Sequence, residues 1–291
     1  MKLKGTGVAI ITPFDKKGNV DFKGLEKLID HCIKGRVDYL VVLGTTGESV
    51  TLSKFEKRHV VDFVIKKAYK KTGIVLGLGG NNTQEILNSF NDFDFKCIDA
   101  VLSVTPYYNK PSQKGLIAHY QAVANASPVP IILYNVPGRT GVNMLPETTL
   151  ALARHKNIIA IKEASGNLEQ MMKIIHHKPE KFMVISGDDA LTLPLIVLGG
   201  VGVISVVAQA FPREYSELVN LALNGKYDKA KKIHYSLLEI TESLFKEGNP
   251  AGIKELLQYL KICENNLRLP LVNISKDLSE KIQILSKKLV K

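Results

Sequence analysis

The chain has 291 residues, 45% of them hydrophobic, with a formal net charge of +11. That length fits one barrel-sized domain or two ordinary ones, and the composition suits a globular protein with a sizeable core. No apolar run approaches the ~20 residues a membrane helix needs, so no membrane partner is expected.

The first segment, MKLKGTGVAIITPFD, carries two lysines and a short apolar stretch ending at Pro13. It has no small-residue cleavage pattern, so no signal peptide is read there. Short apolar, β-branched runs then recur every 20–35 residues or so, with helical patterning between them. They are GVAIITPF (7–14), YLVVLGTTG (39–47), GIVLGLGG (73–80), AVLSVTPYY (100–108), PIILYNVPG (130–138), IIAIKEASG (158–166), FMVISGDD (182–189) and GVGVISVVA (200–208). These runs are nearly continuous rather than alternating, as parallel strands covered on both faces are. Ser53 with Glu56 three residues on forms a capping-box pattern for a helix running to about Lys71. Ser112, Pro146 and Pro212 stand where further helices should begin.

Eight strand–helix units predict an α/β fold, a (β/α)8 TIM barrel over 1–224. An open doubly wound sheet is the alternative, but no GxGxxG follows the first strand. From 225 to 291 strand signals stop. Three amphipathic segments remain, about 226–246, 250–264 and 277–289, divided by EGNP (247–250) and RLPL (268–271). They predict a C-terminal three-helix extension packed on the barrel or on a neighbouring subunit.

The three cysteines (Cys32, Cys97, Cys263) are few and far apart, so reduced thiols in a cytoplasm are the simplest account. The lysines are spread along segments such as KKAYKK (66–71) and KYDKAKK (226–232), without aromatic interleaving or zinc-finger spacing. They read as a solvated surface rather than a nucleic-acid site. A nucleic-acid-binding barrel would show retention falling steeply with salt and would have no need of a lysine inside a strand.

Active-site groups of a barrel sit at the C-terminal strand ends. Lys162 is the lysine that falls inside one of the eight runs. Desolvation there disfavours an ammonium and favours a neutral amine, the nucleophile for a Schiff base with a carbonyl compound. An ion pair with Glu163 or another carboxylate is the competing reading. Tyr134, at the corresponding height on the adjacent strand, is either a proton relay for that amine or a core tyrosine. GTTGES (44–49) lacks the GK[ST] ending of a Walker loop; its hydroxyls and N–H groups suit a carboxylate, or form an ordinary turn. Arg139 is placed either to grip a carboxylate bidentately or to remain solvated. The loops after the seventh and eighth runs, GDDA and VVAQAFP, are acidic and apolar, which disfavours a phosphate and points to carboxylate substrates. No HxxxH or HExxH spacing occurs among the seven histidines, so no metal is expected.

GTTGES, TPYYNKPSQKGL (105–116), YNVPGRTG (134–141), IKEASG (161–166), SGDD (186–189) and LRLP (267–270) together resemble the dihydrodipicolinate synthase family, within the pyruvate-dependent class I aldolases that include N-acetylneuraminate lyase. The resemblance spans the whole chain. It implies a Schiff base of Lys162 with pyruvate, and a relay through Thr46, Tyr134 and Tyr108, the last serving the neighbouring subunit. It also implies pyruvate held by Thr45, Thr46, Gly187 and Ile204, and L-aspartate 4-semialdehyde gripped by Arg139. A lyase reaction in diaminopimelate and lysine biosynthesis follows, with no metal or organic cofactor, in a cytoplasmic homotetramer built as a dimer of dimers. A sugar-acid lyase of the same superfamily is the alternative, and smaller hydrogen-bonding residues in place of Arg139 would favour it. The family's lysine effector site maps to Ser49, Val50, Lys54, Lys57, Asn81, Glu85 and Tyr107. Two lysines there oppose a cationic effector, so weak or absent feedback is expected.

Overall fold

The computed structural model describes residues 3–289. Eight parallel strands close into a barrel in sequence order: β1 (Gly5–Ala9), β2 (Tyr39–Val42), β3 (Gly73–Gly77), β4 (Ala100–Val104), β5 (Ile131–Asn135), β6 (Ile158–Glu163), β7 (Met183–Ser186) and β8 (Gly202–Ser205). The expected (β/α)8 barrel with a C-terminal helical part is therefore the observed architecture.

The strands alternate although their sequences do not. Val41, Ile132, Ala160, Ile185 and Ile204 fill the barrel, while Leu40, Leu133, Ile161, Val184 and Val203 face the helices. Both faces are dry, so both carry apolar side chains and the period of two vanishes from the sequence. Where β8 meets β1 the backbones come so close that a Cβ on Gly202 would collide with the Gly5 carbonyl. Gly202 also takes φ +154, a conformation open mainly to glycine.

The helix starts follow local chemistry. Ser53 accepts from the Glu56 N–H while the Glu56 carboxylate accepts from the Ser53 N–H, completing the capping box of helix Lys54–Ala68. That helix ends three residues before the expected Lys71, because Lys70 takes a left-handed turn (φ +63) into β3. Ser112 caps Gln113–Ala126, and Pro146 and Pro212 open Pro146–Leu152 and Pro212–Leu223.

Beyond the barrel lie helices Tyr227–Phe245, Ala251–Tyr259 and Lys276–Leu289. Tyr227–Phe245 packs on Pro212–Leu223 and on Lys276–Leu289, with Leu237, Ile240 and Leu244 buried. The middle helix stops at Tyr259, short of the 264 expected from its pattern. None of the described helices is long and apolar enough to cross a membrane.

Candidate active site

At the C-terminal mouth, β5 and β6 pair so that Tyr134 lies opposite Lys162 and Asn135 opposite Glu163. A register irregularity at the start of this pair steps the partners from Ile131↔Ile158 to Ile132↔Ala160. The extra residue, Ile159, puts Lys162 and Tyr134 on the same interior face. Without that step Tyr134 would stand opposite Ile161, whose side chain points the other way. The lysine Nζ sits 4.3 Å from the tyrosine ring centroid. Only 5% of Lys162 is exposed.

The competing reading of Lys162 as an ion pair with Glu163 does not describe the structure. Successive strand residues point to opposite faces, and Glu163 lies behind the sheet. Its carboxylate accepts from Asn135 Nδ2 (3.1 and 3.2 Å), Gln170 Nε2 (3.0 Å) and the Ser165 N–H (2.8 Å). Burial pushes the Glu163 carboxyl up, and these hydrogen bonds act in the opposite sense. Among the described residues, the ion pairs do not include Lys162.

Gly187 packs closely against the Lys162 side chain. A Cβ on Gly187 would stand 3.0 Å from Lys162 Cε and 2.7 Å from Ala164 Cβ, so only glycine leaves the lysine its room. Ile204 is buried in the same interior cluster as Tyr134. The loops after β7 and β8 are tied together by Asp189, which accepts from Ser205 Oγ and from the Val206 N–H at 3.0 Å. A buried carboxylate therefore occupies the region where many barrels hold phosphate, in keeping with carboxylate substrates.

The GTTGES stretch forms a 3-10 turn, Thr45–Gly47, followed by Glu48 in a left-handed conformation (φ 50). It is a turn that precedes helix Lys54–Ala68. The Gly47 and Glu48 N–H groups are used inside the turn, by the carbonyls of Gly44 and Thr45. The turn also carries the hydroxyls of exposed Thr45 and buried Thr46. Thr46 Oγ1 accepts from Asn249 Nδ2 at 2.9 Å, leaving its own proton to donate. Arg139, on the short helix Pro137–Thr140, donates to the Asn249 carbonyl at 3.1 Å.

Asn249 was missed in the sequence. EGNP read there as a divider between helices, and nothing local places it beside residues 46 and 139.

A cavity of about 300 Å³ is lined by Thr45, Tyr134 and Arg139 and also by Ser49, Lys54, Lys57 and Tyr107. Of the seven expected effector positions, Ser49, Val50, Lys54, Lys57 and Tyr107 line it. Asn81 and Glu85 lie off its wall, with Glu85 exposed in the first turn of helix Thr83–Ser89. Burial, and then the neighbouring Lys54, pull the Lys57 ammonium below its ordinary value, with Asp92 opposing them. Tyr108 is not brought to the site of its own chain. It is 87% exposed at a left-handed φ of 73.

A lysine amine held dry beside a phenol in the mouth of a closed parallel barrel is the framework of a class I, lysine-dependent aldolase. The comparisons with known proteins agree and narrow it. Residues 2–289 match the Dihydrodipicolinate synthetase family. The 4-hydroxy-tetrahydrodipicolinate synthase of Parabacteroides distasonis is 55% identical over 273 residues, covering 94% of this chain and 92% of that protein. The enzyme of the same name from Flavobacterium psychrophilum is 50% identical over 288 residues, covering 99% and 98%. Among solved structures, dihydrodipicolinate synthase from Aquifex aeolicus superposes with a TM-score of 0.95 at 40% identity, covering 99% and 98%. The chloride-inhibited Acinetobacter baumannii enzyme complexed with pyruvate gives 0.96 at 38%, covering 98% of each chain. The chain belongs to the dihydrodipicolinate synthetase family.

Proposed function

We propose that this protein condenses pyruvate with L-aspartate 4-semialdehyde to 4-hydroxy-tetrahydrodipicolinate, a step of diaminopimelate and lysine biosynthesis. The observation that carries this reading is Lys162, buried in the mouth, facing Tyr134, with no ion-pair partner among the described residues. Its Nζ attacks the keto carbon of pyruvate, and the carbinolamine loses water to give the imine. Loss of a methyl proton gives the enamine, whose terminal carbon attacks the aldehyde. The amino group of the second substrate then displaces Lys162 from the imine carbon, closing the ring and freeing the amine. Each step moves protons, which Tyr134 and Thr46 carry.

Thr45 and Thr46 hold the pyruvate carboxylate, with Gly187 and Ile204 shaping its pocket, and Arg139 takes the carboxylate of the aldehyde. Tyr108, pointing away from its own site, completes the relay of a second copy. This supports a homo-oligomer, read as a tetramer made of two dimers, working in the cytoplasm. Residues 225–291 are read as an extension serving the barrel 1–224. The names of the relatives and the arginine at 139 favour this reading over a sugar-acid lyase.

The test is borohydride reduction in the presence of pyruvate, followed by peptide mass mapping. The three-carbon adduct is expected on Lys162, together with turnover when aspartate semialdehyde is supplied. A trapped lysine elsewhere, or no turnover with this aldehyde, contradicts the proposal.

A further inference from the structure

The C-terminal extension reaches the catalytic loop through a buried ion pair that the proposed chemistry does not use. Glu48 and Lys254 are both fully buried, with Lys254 Nζ 2.5 Å from Glu48 Oε1. Lys254 also donates to the Asn266 carbonyl at 2.8 Å and lies over the Phe14 ring, 4.2 Å from its centroid. The other carboxylate oxygen, Glu48 Oε2, accepts from the Arg268 N–H at 3.2 Å. The Arg268 side chain continues the tether, donating to the Thr51 carbonyl at 2.7 Å and to the Gly18 carbonyl and the Glu56 carboxylate.

Two grips on one short turn come from one helix. Asn249 stands just ahead of helix Ala251–Tyr259 and holds Thr46; Lys254, in the first turns of that helix, holds Glu48. Between them Gly47 is held from the other side, its carbonyl accepting from Thr12 Oγ1 at 2.7 Å. The turn that presents Thr45 and Thr46 is thus fixed at three consecutive residues by groups distant in the chain.

An apolar pair of similar volume would fill this space without the cost of desolvating two charges, and such replacements are often neutral or stabilising. What an apolar pair lacks is a fixed distance and direction. We propose that Glu48 and Lys254 are positioning residues for pyruvate, locking the Thr45–Thr46 turn so that its hydroxyls meet the substrate carboxylate. The inference rests on the reading of that turn as the carboxylate site and of Lys162 as the point of attachment.

The test uses the full-length double variant Glu48→Met/Lys254→Met, measured for melting temperature, kcat and the KM for pyruvate. A folded variant with pyruvate KM raised about tenfold or more and a smaller change in kcat is expected, since small displacements of binding groups are costly. A folded variant with both parameters within twofold of the wild type overturns the proposal, as does a loss confined to kcat. If the double variant does not fold, Glu48→Asp decides by the same criteria: it keeps the charge and shortens its reach by one methylene. Borohydride trapping on the wild type separates the two readings. An unlabelled Lys162 removes the underlying reading and this inference with it. A labelled wild type beside variants of unchanged KM removes the clamp alone.

Discussion

Tyr134 and Lys162 face each other across the β5–β6 pair, lysine Nζ 4.3 Å from the tyrosine ring centroid, on the interior side of the barrel. In the proposed reaction the pair divides the work: the amine makes the bond to substrate and the phenol moves protons. Lys162→Ala is expected to abolish both borohydride trapping by pyruvate and condensation, with an unchanged melting profile. Tyr134→Phe should keep some trapping while kcat falls by roughly 10²–10⁴, the usual contribution of a positioned acid–base group. Full activity in either folded variant would contradict the assignment.

Gly187 tests how tightly the amine is confined. A methyl group there would meet Lys162 Cε at 3.0 Å and Ala164 Cβ at 2.7 Å. Gly187→Ala should therefore displace the amine and cut kcat/KM for pyruvate by about tenfold or more, while circular dichroism still reports a folded barrel. Unchanged kcat/KM would show that the pocket has slack.

Lys54 and Lys57 line the same cavity as Tyr134 and Arg139, with Asp92 the nearby counter-charge at 3.9 Å from Lys54. One carboxylate against two ammonium groups leaves a positive excess, which repels a cationic amino acid. Lysine should inhibit weakly or not at all, and Lys57→Glu should increase whatever inhibition there is. Half-inhibition of the wild type by sub-millimolar lysine in a turnover assay would refute this.

Glu56 links the capping box to the C-terminal tether, and Arg268 beside it holds its carboxyl down to about 2 from an ordinary 4.5. A carboxylate whose folded value is depressed stabilises the protein above its unfolded value, and that stabilisation is lost as pH falls. Glu56→Gln should thus melt below the wild type at pH 7, with the gap closing between pH 4.5 and pH 2. Melting temperatures across that range check it. A constant gap would place the effect in packing or capping instead of charge.

Much of this was legible beforehand. The eight apolar runs, the capping box at Ser53 and the proline starts at 146 and 212 are written in neighbouring residues, and neighbours decide them. Lys162 stood out because a charged residue inside an apolar run violates the local pattern. The Glu163 network, by contrast, could not be told from an ion pair with Lys162, because face assignment depends on strand register. That register turns on a single irregularity near Ile159.

The groups that fix the Thr46–Glu48 turn were the least legible. Asn249 is 203 positions from its partner Thr46, and Arg268 is 220 from Glu48. Nothing in EGNP or RLPL distinguishes a clamp from a break between helices, since both need the same turn-forming residues.

The sequence by itself determined the barrel, the order of its strands and the lysine at its rim, because each depends on hydrophobic pattern and propensity within a few dozen residues. Only the tertiary structure decided which way Lys162 faces and that Asn249, Lys254 and Arg268 hold the Thr46–Glu48 turn. Those facts depend on closure of the sheet and on contacts between segments far apart in the chain. Their geometry exists only once the barrel has formed.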